Sequence, residues 1–176
     1  GGAVCYHDDS LVQKLNDLKN FGIHGPEEVA YIGGNAKMNE FQASMGICNL
    51  RHLDSEILKR KAVVERYHSH LENIEGIKLC QPQTDVKSNY AYFPVVFDEK
   101  AFGASRNEVM DKLAENDIGA RKYFYPLTSA SPAFNGKYNT AETPVALDIS
   151  ERVLTLPLYA DLSLDDVDRI CDIILK

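Results

Sequence analysis

The segment Tyr31–Leu50, YIGGNAKMNEFQASMGICNL, decides how this chain is read. Glycines, an asparagine and a lysine stand ahead of a helix start, and the helix itself is rich in small residues. A helix N-terminus with open backbone N–H groups suits a phosphate. Neither the P-loop spacing nor the dinucleotide-binding glycine pattern is present, so neither explains the segment. Asn39 is placed to cap, with Gln42 three residues on in the capping-box position. The helix beyond it presents Phe41, Met45 and Cys48 along one face. Ala43, Ser44 and Gly46 allow another backbone to come close, and the cost of Gly46 in a helix, ~1 kcal/mol against Ala, asks for such a packing reason.

Upstream, GGAVCYHDD reads as a short strand that Asp8–Asp9 terminate. An apolar strand beginning at the first residue leads us to expect that the natural protein extends upstream. Ser10 is the expected cap of a helix carrying Leu11, Leu15 and Leu18, with Gly22 as its stop. The connection FGIHGPEEVAYIGGNAKM is about as long as ordinary connections permit, and loops of such length are usually functional or disordered.

Downstream, a separate longer helix is expected from about Asp54 to Asn73. Its stripe is Ile57, Val64, Tyr67 and Leu71, with Glu56–Arg60 as an i,i+4 pair. From Gly76 the texture changes. IKLC, NYAYFPVVFD, IGARKYFYP and RVLTLPL read as strands, and Tyr90 and Tyr92 as core-bordering strand residues. Helices are expected over Asn107–Asn116, with Val109, Met110 and Leu113 inward, over Pro144–Ser150, and over Leu164–Leu175. Ser163 caps the last, and Asp165 and Asp166 favour its dipole. SPAFNGKYNT is a polar loop. Strands alternating with helices give an α/β class with an α+β C-terminal part, divided into residues 1–52 and 53–176.

Composition excludes several roles. The 176 residues are 44% hydrophobic and carry 26 acidic against 19 basic side chains, a net charge of −7. Nucleic-acid binding relies on clustered Lys and Arg, so it is not expected. No apolar run approaches the ~18 residues of a membrane span, and no signal peptide is visible. Cys5, Cys48, Cys80 and Cys171 lie far apart in apolar stretches and read as reduced, mostly buried thiols of a cytoplasmic protein. No zinc-ligand spacing occurs, and His68 and His70, two apart on a helix, read as surface residues rather than a metal pair.

Several blocks taken in order resemble the C-terminal portion of the DegT/DnrJ/EryC1/StrS family of sugar aminotransferases. GGAVCYHDD with LVQKLNDLKNFG resembles the family's strand and helix after its cofactor lysine. GGNAKMNEFQASMGICNL resembles its G-x-N-x-[RK]-M-x-E-x-Q-A-x-x-G signature, and HLDSEILKRKAVVERYHSHL the helix joining its large and small domains. NYAYFPVVF, IGARKYFYPL and RVLTLPLYADLSLDDVDRICDII continue the series, so the resemblance covers essentially the whole chain.

The resemblance implies an aspartate-aminotransferase-like fold, pyridoxal 5'-phosphate (PLP) as cofactor, a nucleotide-linked keto-deoxy sugar as substrate, glutamate as amino donor, and a homodimer. It implies residues 1–52 as a remnant of the large domain and residues 53–176 as the complete small domain. No lysine here matches the Schiff-base position, which the resemblance places just before Gly1, so no catalytic residue is assigned and the chain alone is expected to be inactive.

Asn35, with Gly34 beside it, would reach the PLP phosphate of the partner subunit. Local chemistry equally allows Asn35 as a left-handed turn residue. Lys37 would face cofactor or sugar-nucleotide phosphate, or else remain a solvated loop lysine. Tyr123 and Tyr125, alternating along a strand and so sharing a face, would meet the sugar, or else border a core. Thr128 stands where many relatives have His, and KYFYPLT most resembles the branch acting on dTDP-linked 3-keto-6-deoxy sugars. Two other readings stay open: a PMP-dependent sugar 3-dehydratase of the same family, and a non-catalytic dimerisation or binding module.

Overall fold

The computed structural model describes residues 1–176, which divide into two compact units, Gly1–Leu53 and Asp54–Lys176. In the first unit, α1 (Leu11–Lys19) is followed by a small antiparallel hairpin, β1 (Ile23–Gly25) and β2 (Glu28–Val29). The long connection expected after α1 is therefore partly ordered. Residues 1–7 form no strand, contrary to expectation. No strand of the chain runs beside them, and an apolar sequence without a ladder partner leaves its backbone groups to solvent. Ser10 does not cap α1 with its side chain; its own N–H is accepted by Asp8 Oδ1 at 2.9 Å.

The helix α2 runs unbroken over Glu40–Leu71, 32 residues, where two helices were expected. Nothing from Ile47 to Leu71 breaks it, because the stretch has neither proline nor glycine. Its start carries the expected capping box. Gln42 N donates to Asn39 Oδ1 at 2.9 Å, and Asn39 N to Gln42 Oε1 at 3.0 Å. Phe41, Met45 and Cys48 are exposed. Glu56 pairs with Lys59 rather than Arg60.

The second unit is an α+β layer. Its antiparallel sheet has the order β3 (Ile77–Leu79), β4 (Phe93–Phe97), β5 (Val153–Leu156). Along β4 the side chains alternate as a two-residue period requires: Phe93, Val95 and Phe97 are buried, Pro94 and Val96 half-buried. Pro94 sits beyond the end of the β3 ladder, which stops at the Leu79–Val95 pair, so its missing N–H costs nothing on that side. The buried face meets Val63, Tyr67 and Leu71 of α2, Val109 and Leu113 of α4 (Arg106–Ala114), and Val167, Ile170, Cys171 and Ile174 of α6 (Leu164–Leu175). Burying each such side chain is worth about 1.5–3 kcal/mol. Tyr67 is fully buried, stacks on Phe93 at 4.8 Å, and donates its hydroxyl to Pro157 O at 3.0 Å.

Local signals fix the helix ends. Ser105 and Glu108 form a complete capping box on α4, and the Ser163 hydroxyl accepts from Asp166 N on α6. The short α3 (Glu99–Phe102) is capped by Asp98, and α5 (Pro144–Arg152) opens on proline. Three 3-10 turns occupy the region 128–142. Three of the four cysteines, Cys5, Cys48 and Cys80, are exposed, and only Cys171 is buried; Cys5 and Cys48 lie outside the core, and Cys80 follows the buried Leu79 just beyond the end of β3. His68 and His70 are half-buried, not surface residues: His68 packs edge-on to Phe93, and His70 Nε2 lies 2.7 Å from Asp168. No helix is long and apolar enough to cross a membrane.

Candidate functional site

In the first unit the glycine–asparagine segment is laid along the end of α1. Gly34 N donates to Leu18 O at 3.0 Å, Phe21 N to Gly34 O at 3.0 Å, and Ala36 N to Lys19 O at 2.9 Å; Asn20 and Asn35 form a β-bridge. Two glycines make this contact possible. A Cβ on Gly33 would stand 2.4 Å from the Gly22 nitrogen, and Gly22 itself has φ +80° with a Cβ position 1.7 Å from Tyr31 O. Only a residue without a side chain fits either place. Gly34, by contrast, has nothing within 4 Å of its Cβ position. The glycine pair thus divides its roles: Gly33 makes the close backbone contact and Gly34 borders open space.

Asn35 is exposed, and its side-chain amide forms no hydrogen bond within the chain. Lys37 Nζ donates to Asn20 Oδ1 and lies 4.6 Å from the Phe21 ring centroid, so it is a held cation rather than a loose one. The start of α2 is less open than the sequence suggests. Its capping box uses the N–H of Gln42, and Ala43 N donates to Asn39 O at 3.0 Å. The N–H groups at the start of α2 are thus partly taken up within the chain, while Asn35 is exposed on the loop before it.

Beneath the loop, Asp17 is 2% exposed and accepts from Gln13 Nε2 and pairs with His24 Nδ1, each at 2.7 Å. The hydrogen bond raises the His24 pKa above its ordinary value and holds the Asp17 carboxyl below its own. Asp17 and His24 line a cavity of about 380 Å³ together with Asn20 and Lys37. Sequence reasoning missed this pair; the signal was an acid in the last turn of a helix seven residues from a histidine in the following hairpin.

In the second unit, IGARKYFYP is not a strand. Arg121 alone bridges to Thr155, with Arg121 N to Thr155 O at 3.1 Å and Thr155 N to Arg121 O at 2.8 Å. Beyond it the chain turns: Tyr123 N donates to Arg121 O and Tyr125 N to Lys122 O. The alternation is lost, and Tyr123 and Tyr125 do not share a face. Tyr123 joins Tyr92 and Phe124 in an aromatic cluster, with centroids 5.8 and 4.8 Å away. Tyr125 lies over the buried Arg106 guanidinium at 4.9 Å, which donates to the carbonyls of Ser150 and Val153. Tyr92 is exposed and outside the strand, not a core-bordering residue. With Tyr123 and Arg121 it lines a cavity of about 400 Å³. Thr128 opens the first 3-10 turn.

This mixed fold is that of PLP-dependent aminotransferase structures. The crystal structure of DesI in the presence of its TDP-sugar product matches with a TM-score of 0.84 at 28% identity, covering 96% of this chain and 43% of that one. The pattern of the DegT/DnrJ/EryC1/StrS aminotransferase family matches residues 1–175, and the chain belongs to that family. It is 36% identical over 177 residues to the dTDP-4-amino-4,6-dideoxy-D-glucose transaminase of Escherichia coli, covering 99% of this chain and 47% of the relative. The enzyme of the same name from Shigella dysenteriae is 34% identical over 97% of this chain and 46% of its own length. The chain spans about half the length of these curated relatives.

Proposed function

We propose that this chain forms the C-terminal part of a PLP-dependent aminotransferase that places an amino group from glutamate on a dTDP-linked keto-deoxy sugar. We place it in the cytoplasm, as a homodimer. The observation that carries the reading is Asn35: an exposed amide with no partner in the chain, set on a loop that Gly33 and Gly22 fix against α1. That donor, the open side of Gly34 and the held cation Lys37 suit a phosphate ester. PLP, when bound, supplies the electron sink of the reaction.

In this reading Asn35 donates to the cofactor phosphate across the dimer, with Gly34 admitting it, and Lys37 offers its charge to phosphate. Tyr123 and Tyr125 present hydroxyls to the sugar from their separate settings. Relatives named as transaminases favour amino transfer over dehydration. The test is direct: the full-length protein, given PLP, glutamate and a dTDP-4-keto-6-deoxyhexose, should yield the dTDP-amino sugar and 2-oxoglutarate by mass spectrometry. A keto sugar that is consumed without gaining nitrogen would contradict amino transfer.

A further inference from the structure

Arg106, the first residue of α4, is 5% exposed and is the one buried basic side chain of the molecule. Its hydrogen-bond acceptors are all neutral. Nη1 donates to Ser150 O at 3.2 Å and to Val153 O at 2.9 Å, and Nε to Asn107 Oδ1 at 3.0 Å. Burial holds its pKa below the usual arginine value, a shift that Tyr125 and Glu151 oppose. Withdrawing a charge from water without a bonded carboxylate is costly. Its retention asks for a use beyond the two carbonyls, which neutral donors also satisfy.

That use is Tyr125. Its ring centroid lies 4.9 Å from the guanidinium carbon, and the residue is 51% exposed. A guanidinium donates in its own plane and stacks through its face, so the carbonyls fix the plane and the plane fixes the ring over it. The carbonyls belong to the end of α5 and the start of β5, and α4 is seated in the core through Val109 and Leu113. The segment bearing Tyr125 has no such seat, since residues 121–127 supply nothing to the core cluster. It leaves the sheet after the Arg121–Thr155 bridge, and Tyr125 N donates only three residues back, to Lys122 O at 2.7 Å. We propose that Arg106 is a positioning residue for amino transfer: from beneath the surface it holds the Tyr125 ring so that the phenol hydroxyl faces the sugar. The inference rests on the sugar contact of Tyr125 proposed above and adds to it the buried group that orients that contact.

Steady-state kinetics of the full-length protein, with glutamate and a dTDP-4-keto-6-deoxyhexose each varied, test it. Arg106→Met should raise the KM for the keto sugar roughly three- to thirtyfold, the worth of a desolvated cation–π contact, and leave the KM for glutamate unchanged. Arg106→Lys keeps a cation under the ring and should recover part of that loss. Should the methionine variant fail to fold, Arg106→Lys, which lacks the fork, should still raise the keto-sugar KM selectively, by a smaller factor. Tyr125→Leu should raise the keto-sugar KM by itself, and in that background Arg106→Met should add almost nothing. Equal changes in both KM values, or an effect of Arg106→Met that persists in full without the Tyr125 ring, would overturn the positioning role alone. So would Arg106 variants that lose only thermal stability. A Tyr125→Leu protein with an unaltered keto-sugar KM would overturn the sugar contact as well.

Discussion

Gly33 lies against Gly22 so closely that a Cβ on Gly33 would meet the Gly22 backbone nitrogen at 2.4 Å. This contact, not the start of α2, sets the position of Asn35. The neighbouring atoms are backbone and cannot move aside cheaply. We expect Gly33→Ala to destabilise the first unit by about 1–3 kcal/mol, the usual cost of overpacking. Gly34→Ala, with open space at its Cβ, should cost far less. Hydrogen exchange at Phe21, Gly34 and Ala36 would report the difference; equal effects of the two substitutions would contradict it.

The Asp17–His24 pair makes the same region pH-dependent. His24 has its pKa raised by the hydrogen bond to Asp17, so its contribution is full below the unfolded value of about 6.5 and is lost as pH rises through the higher folded value. Asp17 is shifted the other way, so its contribution is present above about 3.9 and lost as pH falls through its lowered value. Protection factors in the β1–β2 hairpin should therefore be greatest near about pH 5–6 and fall toward about pH 8. His24→Ala should flatten that profile; an unchanged profile in the variant would show that other groups set it.

The cysteines offer a check on packing. Burial pushes the Cys171 thiol up to about 12, whereas Cys5, Cys48 and Cys80 are exposed. Alkylation of the folded chain at neutral pH should label those three and spare Cys171 until the chain unfolds. Early labelling of Cys171 would contradict the buried seat of α6 on the sheet.

Signals carried by neighbours in sequence were legible without the structure. Asn39 with Gln42, and Ser163 at the start of α6, each close a cap within one turn, and each cap forms. The core stripe of Tyr67 and Leu71, the inward faces of Val109 and Leu113, and the limits of α6 were equally readable from period alone. What failed depends on partners far along the chain. GGAVCYHDD has strand composition but no neighbour to pair with. IGARKYFYP has it too, yet Thr155 holds only Arg121, and the tyrosines then turn away to Tyr92 and Arg106. The proposed site residues Gly34, Asn35 and Lys37 rest on the family signature. That Arg121, Thr155 and Tyr159 line one cavity was not legible, because only the fold brings them together.

None of the lysines of this chain matches the Schiff-base position by resemblance. We therefore expect the 176-residue chain by itself, mixed with PLP, to give no stoichiometric absorption band near ~420 nm that borohydride can trap, the mark of a covalent imine. A trapped adduct on a single lysine would overturn that assignment.

The most direct test of the whole reading is the PLP dissociation constant of the full-length protein carrying Asn35→Ala. Removal of a hydrogen bond to a charged phosphate costs about 1.5–3 kcal/mol, so PLP should bind roughly 10- to 100-fold more weakly while thermal unfolding without cofactor stays unchanged. An unaltered dissociation constant would contradict the assignment of Asn35, and with it the role proposed for the loop that carries it.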